Sequence, residues 1–135
     1  MIGLMHGYSM QLMDGPSVLI TMQDNGWNTR RDSHPLSQDL SALLNSAATP
    51  VFVVIDVQTY LSFDDVVYWA NVMTREPRAF LTHPKMREAL IVTTDPLVTR
   101  VGHSLNTDIY GNIAARDFRE IDEALRYIEV KLRES

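Results

Sequence analysis

The residues of this chain that could take part in a reaction lie at the C-terminal ends of two apolar runs. They are an aspartate behind the first run, and two threonines and an aspartate behind the second: Asp56, Thr93, Thr94 and Asp95. Two neighbouring carboxylates could act as an acid and a base, or could hold a magnesium ion. An aspartate behind a strand more often caps the following helix, and the proline that follows Asp95 favours this structural role.

The two runs, Thr49–Asp56 and Ala89–Asp95, indicate buried parallel strands, because a strand covered on both faces has no reason to alternate polar and apolar residues. Open α/β sheets bind their ligands at the carboxyl ends of such strands. We therefore expect the loops behind the two runs to form one polar edge of the sheet. Neither run identifies a reaction by itself.

The sequence from Gly102 to Asn106 comes close to the nucleophile elbow of α/β-hydrolases, in which a serine stands between two glycines. Asn106 replaces the second glycine of that motif. The triad order of these enzymes also requires a histidine after the serine, whereas His103 is the last histidine of the chain. We therefore predict no catalytic residue and a non-enzymatic protein.

The histidines are spread along the chain without the spacing of metal ligands, at His6, His34, His83 and His103. Cysteine is absent, and no glycine-rich phosphate loop is found. We predict no metal and no cofactor. A metal site would require the fold to bring histidines together with Asp56 or Asp95.

A basic segment spans residues 75–87, with a lone glutamate among its cations, which are Arg75, Arg78, Lys85 and Arg87. Such a segment can attract a phosphate headgroup or another anion. An apolar surface beneath it could come from Phe80, Leu81 and Met86. We favour a solvated connection, and keep a small-molecule or lipid-binding module with an anion site here as the alternative function.

The elements that must position these residues follow from the apolar pattern. Alternation over Tyr8–Met13 and Ser17–Met22 predicts a β-hairpin. The stretch Trp27–His34 lacks periodicity and is expected to be a loop, after which Pro35 opens a helix. The strand Val51–Val57 comes next.

Ser62 is predicted to cap the following helix, which continues to Thr74. The remaining elements are a strand at 89–94, a helix from Asp95-Pro96 to Gly111, a strand at 112–116 and a last helix at 118–132. The order predicts one α/β domain over residues 1–135, with an N-terminal hairpin, a mixed but mostly parallel sheet and flanking helices.

Composition narrows the classes of partner. The chain has 135 residues with a formal net charge of −5, and such an acidic surface disfavours nucleic acid. No apolar run reaches the roughly 20 residues of a membrane helix, and the N-terminus lacks the pattern of a signal peptide. With no cysteine, the expected location is the cytoplasm.

The chain resembles the SpoIIAA-like family, relatives of the STAS domain of anti-sigma-factor antagonists. The resemblance lies in Val51–Asp56, the helix from Phe63, Leu90–Asp95, and the closing pattern Ala115–Phe118 with Glu123–Ile128. It implies a regulatory domain that acts by protein–protein contact. Regulatory members are phosphorylated on a serine in an Asp-Ser turn, but that dipeptide is missing here, so we interpret Ser62 as a helix cap.

The contact surface expected from this resemblance lies on the helix from Ser62 and the loop before it, at Tyr60, Ser62, Asp65, Tyr68 and Trp69. If Tyr68 and Trp69 are exposed, they mark an interface, including that of a homodimer, because these residue types concentrate at contact hot spots. If the apolar stripe of the helix is wider, they belong to the core. The sequence leaves both alternatives open.

Overall fold

The computed structural model describes residues 7–13, 16–75, 80–107 and 113–134. Its strands are β1 (Tyr8–Met13), β2 (Ser17–Met22), β3 (Val51–Val57), β4 (Met86–Val92) and β5 (Ala115–Phe118). Its helices are α1 (Thr29–Asn45), α2 (Phe63–Arg75), α3 (Pro96–Ser104) and α4 (Ile121–Glu134), with a 3-10 turn at Phe80–Thr82. No helix in these ranges is long and apolar enough to cross a membrane.

The strands form one sheet in the order of the sequence, β1-β2-β3-β4-β5. The hairpin strands β1 and β2 are antiparallel, whereas the pairs β2–β3, β3–β4 and β4–β5 are parallel. The register aligns Val18 with Val53, Val53 with Ala89 and Ala89 with Ala115 across four strands. The predicted α/β class, with a leading hairpin and a mostly parallel sheet, is confirmed.

The sheet is covered on both faces, but unequally. On one face, helices α1, α2 and α3 contribute Leu40, Trp69 and Val98 to the larger core, which also contains Val53 and Ile91 of the sheet. The other face is covered by α4. This smaller core consists of Phe52, Val54, Leu90, Val92, Ala124 and Ile128. We call these faces the three-helix face and the α4 face.

This double cover explains the two apolar runs. Alternate residues of β3 and β4 enter different cores, so Val53 and Ile91 pack on the three-helix face while Val54 and Leu90 pack on the α4 face. All four side chains are buried. A polar residue at any of these positions would lose its hydration without gaining a partner, which is why the runs do not alternate.

The expected loop at 27–34 is wrong, because α1 begins at Thr29 and Pro35 lies inside it. Asn28 caps the helix: its side chain accepts a hydrogen bond from the Arg31 amide at 3.0 Å, and its own amide donates to the Asp32 carboxylate at 2.8 Å. The first turns bury the polar residues Thr29 and Asp32. A helix that buries polar side chains leaves no apolar periodicity for sequence reading to detect.

Three other predicted boundaries shift. Strand β4 begins earlier than expected, at Met86, and β5 lies at Ala115–Phe118, so Phe118 ends a strand and does not open the last helix. Phe118 aligns with Val92 of β4 and packs against the smaller core. An apolar residue at this position could serve equally as the end of a strand or the start of a helix. Helix α3 ends at Ser104, and its predicted end at Gly111 lies outside the described residues.

A side-chain hydrogen bond of Tyr8 connects β1 to α1. Its side chain is buried, and its hydroxyl donates a hydrogen bond to Asp39 of α1 at 2.6 Å. Burial, and then the Asp39 carboxylate, raises the pKa of Tyr8 well above the ordinary range of tyrosine. The folded protein therefore holds this proton more tightly than the unfolded chain does.

Because the folded pKa of Tyr8 is raised, its contribution to stability is complete below about pH 10 and declines as the pH rises further. We expect Tyr8→Phe to lower the free energy of unfolding by about 1.5–3 kcal/mol at pH 7, through loss of a hydrogen bond to a charged group. The difference from wild type should shrink above about pH 10. Urea denaturation at both pH values measures this, with the exposed Tyr60→Phe as control; a difference that stays constant with pH would contradict it.

Candidate functional site

The helices that follow the last two strands lie on opposite faces of the sheet, so the chain changes sides between β4 and β5. The connection that leaves β4 runs into α3 on the three-helix face, whereas the one that leaves β5 runs into α4 on the other face. Where connections diverge in this way, the carboxyl ends of two parallel strands leave a crevice between them, and open α/β sheets bind ligands there. We call this place the β4–β5 crevice.

The β4–β5 crevice is an open groove of about 570 Å³, and most of the residues that line it are polar or charged. Its residues come from the end of β4, from α3 and from the end of β5: Thr93, Thr94, Pro96, Thr99, Arg100, His103, Asp117 and Arg119. The lining thus combines hydroxyl groups, two guanidinium groups, an imidazole and one carboxylate.

Local hydrogen bonds fix the wall of the crevice that is formed by the end of β4 and the start of α3. Thr93 is buried, and its hydroxyl accepts a hydrogen bond from the Asp95 amide at 3.1 Å. The Asp95 carboxylate accepts from the Leu97 amide at 2.9 Å and caps α3, with Pro96 in the first turn. The cap predicted for Asp95 is confirmed, and this carboxylate is occupied by a structural role.

His103 and Asp117 are paired across the crevice. The ring Nε2 of His103 lies 2.5 Å from Asp117 Oδ1, and the imidazole is 65% exposed. Thr99 and Arg100 precede His103 by one turn of α3, which places them on the same side of the helix. The carboxylate orients the ring through Nε2, while Nδ1 has no hydrogen-bond partner among the described residues.

The two arginines of the crevice are exposed. Neither the Arg100 nor the Arg119 guanidinium pairs with a carboxylate of the described residues. Asp117, the carboxylate of the lining, is already bonded to His103. An anion entering the crevice would therefore meet two cationic groups with free donors.

The structure places the residues expected at the sheet edge in different roles. Thr93 and Thr94 line the crevice as expected. Asp56 accepts a hydrogen bond from Gln58 at 2.8 Å, while Asp95 caps α3, so the two carboxylates have separate partners. Within the described ranges, no three histidine, aspartate or glutamate side chains are placed to hold a metal ion.

Sequence reading missed Asp117 and Arg119, and gave His103 no role. His103 and Asp117 are 14 residues apart and become neighbours because β5 pairs in parallel with β4. The detectable signal was the polar end of the last short strand, which carries Asp117, and the turn behind it, which carries Arg119. Ser104 lies in α3 and donates to the Arg100 carbonyl at 3.2 Å, so the residue resembling a hydrolase nucleophile is helical.

The expected contact surface on α2 divides into exposed and buried parts. Tyr60 is 81% exposed, but Trp69 is only 7% exposed and belongs to the larger core, so the core alternative is correct for Trp69. Tyr68 is half-buried, with the Arg30 guanidinium 4.1 Å from the centre of its ring. Trp69 faces inward because the apolar stripe of α2 is wider than sequence spacing indicates.

The basic segment lies at the other edge of the sheet. It leads into β4, and the Lys85 carbonyl accepts from the amide of Val51, where β3 begins, at 2.7 Å. Lys85 Nζ donates to the Ala48 carbonyl at 3.3 Å, whereas the Arg87 guanidinium lies 4.6 Å from the centre of the Phe52 ring. These two cations thus contact different partners. Arg75 ends α2, and Arg78 lies outside the described residues.

Comparisons with protein-family models, with curated proteins and with solved structures find no match to this chain. The likeness to the SpoIIAA-like family therefore remains one of sequence pattern. The function has to be argued from the geometry of the site.

Ser62 caps α2, as predicted from the sequence, and the structure adds a return hydrogen bond to Asp65. The Asp65 amide donates to the Ser62 hydroxyl, and the Ser62 amide donates to the Asp65 carboxylate, each at 3.1 Å. This is a capping box with aspartate in the acidic position. It holds the start of α2 and the exposed Tyr60 loop in place.

We expect Ser62→Ala to lower the free energy of unfolding by about 1 kcal/mol, because the Asp65 amide loses its acceptor. Ser62→Thr keeps a hydroxyl at the cap and should retain most of the stability. Urea denaturation of the three proteins at neutral pH measures the difference. Equal stability of the alanine and threonine variants would show that the cap is not formed.

Proposed function

We propose that this domain is a non-enzymatic binding module that takes a small anionic molecule in the β4–β5 crevice. The observation that carries the proposal is the convergence of Arg100 and Arg119, which have no carboxylate partner among the described residues, at the place where the chain changes sides. The chain as a whole carries a formal charge of −5, so this local cationic cluster runs against the overall charge. Such a cluster attracts anions.

The shapes of these groups favour a carboxylate or a phosphate. A guanidinium presents parallel donors that match two oxygens of either group, and both arginines of the crevice have donors to spare. Thr94 and Thr99 add hydroxyl donors from the wall. A volume of about 570 Å³ is in the range of sites for small molecules.

This proposal retains the small anionic ligand of the sequence-based alternative but places its binding site elsewhere in the fold. An anionic small ligand was expected near residues 75–87, whereas the unpaired cations that share a cavity lie at Arg100 and Arg119, at the opposite edge of the sheet. The ligand class that agrees with the crevice is a small molecule that carries a carboxylate or a phosphate.

We expect Arg100→Gln and Arg119→Gln each to weaken binding of inorganic phosphate by about tenfold or more, because each removes a charge-assisted hydrogen bond of about 1.5–3 kcal/mol. Isothermal titration calorimetry at low ionic strength measures this. Both residues are exposed, so the variants should keep the stability of the wild type.

Lys85→Gln is the matched control, because it removes a cation from the basic segment and leaves the crevice unchanged. Phosphate affinity should be unaltered in this variant. If Lys85→Gln weakened binding while the two arginine variants did not, the anion site would lie in the basic segment. No measurable binding of phosphate or of succinate to the wild type would also contradict the proposal.

Protein contact through the loop before α2 is the second candidate, and the exposure of two aromatic side chains favours it. Tyr60 is 81% exposed and Phe63 is 63% exposed, on either side of the Ser62 cap. Exposed aromatic residues held in a fixed geometry are typical of contact hot spots. The partner would be a regulatory protein, as the SpoIIAA resemblance implies, or a second copy of the chain.

If the second copy is the partner, the Tyr60→Ser/Phe63→Ser double variant should weaken the dimer at least tenfold, because both apolar contacts are lost. Sedimentation velocity over a wide concentration range measures the dissociation constant. Leu12→Ser is the control, since Leu12 is an exposed apolar residue on the distant strand β1. A wild-type protein that stays monomeric at all concentrations would rule out self-association through this loop.

A further inference from the structure

The β4–β5 crevice contains a group whose charge changes close to neutral pH, the imidazole of His103. Histidine is the side chain that ordinarily gains or loses its proton between about pH 5 and pH 8. Guanidinium and carboxylate groups ordinarily keep their charges over this range. The other charged residues of the lining, Arg100, Arg119 and Asp117, are of these two types. Near neutral pH, the charge of the described lining therefore depends on one imidazole ring.

The contact with Asp117 decides which ring nitrogen of His103 is left to take up a proton. Nε2 faces the Asp117 carboxylate, so the hydrogen of the neutral ring resides on Nε2 and is donated to that oxygen. Nδ1 then carries a lone pair, and it has no hydrogen-bond partner among the described residues. The His103 side chain is 65% exposed, so water reaches the ring, and a proton can be added without breaking the contact with Asp117.

Protonation of His103 doubles the net positive charge of the described lining. While the ring is neutral, the Asp117 carboxylate offsets one of the two guanidinium groups, and one positive charge is left. The imidazolium form offsets the carboxylate, so both guanidinium charges remain. The end of β4 adds only hydroxyl groups, and among the described residues no side chain of α2 lines the crevice. An anion in the crevice is therefore attracted more strongly when His103 is protonated.

We propose that His103 couples anion binding in the β4–β5 crevice to pH, so that the crevice holds an anion tightly when the ring is protonated and releases it when the ring is neutral. This inference rests on the anion site proposed above and adds the condition that controls its occupancy. Protonation strengthens anion binding and, by linkage, a bound anion strengthens protonation by the same factor. Affinity for an anion of fixed charge therefore rises as the pH falls from about 8 to about 5.5.

His83 is a matched control, because it lies outside the crevice. Its Nε2 lies 2.7 Å from Asn45 Oδ1, and its Nδ1 accepts a hydrogen bond from the Lys85 amide at 3.0 Å, so it belongs to the basic segment at the other edge of the sheet. Protonation of His83 changes the total charge of the protein by as much as protonation of His103 does. It leaves the charge of the crevice lining unchanged.

Sulfate is the probe, because its charge stays constant over this range, whereas that of phosphate does not. We expect calorimetric titration at constant ionic strength to show about fivefold or tighter binding at about pH 5.5 than at about pH 8. In His103→Gln, whose amide keeps an N–H donor for Asp117, this ratio should fall below about twofold. His83→Gln should keep the ratio of the wild type.

The outcomes separate the two proposals. No binding of sulfate to the wild type at either pH would contradict the anion site and the role of His103 together. Equal binding at both pH values would overturn the role of His103 alone, as would a His103→Gln protein that keeps the ratio of the wild type. A ratio that is lost in His83→Gln and kept in His103→Gln would assign the pH dependence to the basic segment.

A reciprocal measurement needs only the wild-type protein, once the two variants have assigned the imidazole signals in an NMR spectrum. With saturating sulfate, the pH at which the His103 ring signals change should rise, while that of the His83 signals stays in place. Ring signals of His103 that change at the same pH with and without sulfate would overturn the coupling, even if sulfate binds.

Discussion

The burial of β3 and β4 on both faces is the constraint on which the rest of this structure depends. Their side chains alternate between two cores, so neither face can be left in water. Three helices follow one another on the first face, and the chain must then cross to the second face to cover Phe52 and Leu90. Helix α4 provides that cover, and the crossing opens the β4–β5 crevice.

The attachment of α4 to the sheet also helps to position residues that line the β4–β5 crevice. Tyr127 of α4 donates to Glu88 of β4 at 2.6 Å, and Arg116 of β5 donates to the Tyr127 hydroxyl at 2.8 Å. This bridge holds the last strand against its neighbour, and the next residue along β5 is Asp117, which pairs with His103. Packing on the α4 face therefore positions charged groups that lie at the sheet edge.

More features of the fold than of the site could be predicted from the sequence. Continuous apolar runs report double burial directly, and the Asp95 and Ser62 caps carry local signals that the structure confirms. The start of α1 carried no such signal, because it buries polar residues. The pairing of His103 with Asp117 depends on the parallel register of β4 and β5, which no local spacing encodes. Trp69 was ambiguous because the width of an apolar stripe depends on the elements packed against it.

We propose that anions bind where the connections change sides between β4 and β5, and this can be tested by mapping amide shifts during a phosphate titration. Perturbations confined to residues 93–103 and 117–119, saturating with a single dissociation constant, are the expected result. The strongest should lie near Arg100 and Arg119, which line the crevice. Perturbations concentrated at residues 83–87, with the crevice amides unmoved, would contradict the claim and place the anion at the other edge of the sheet.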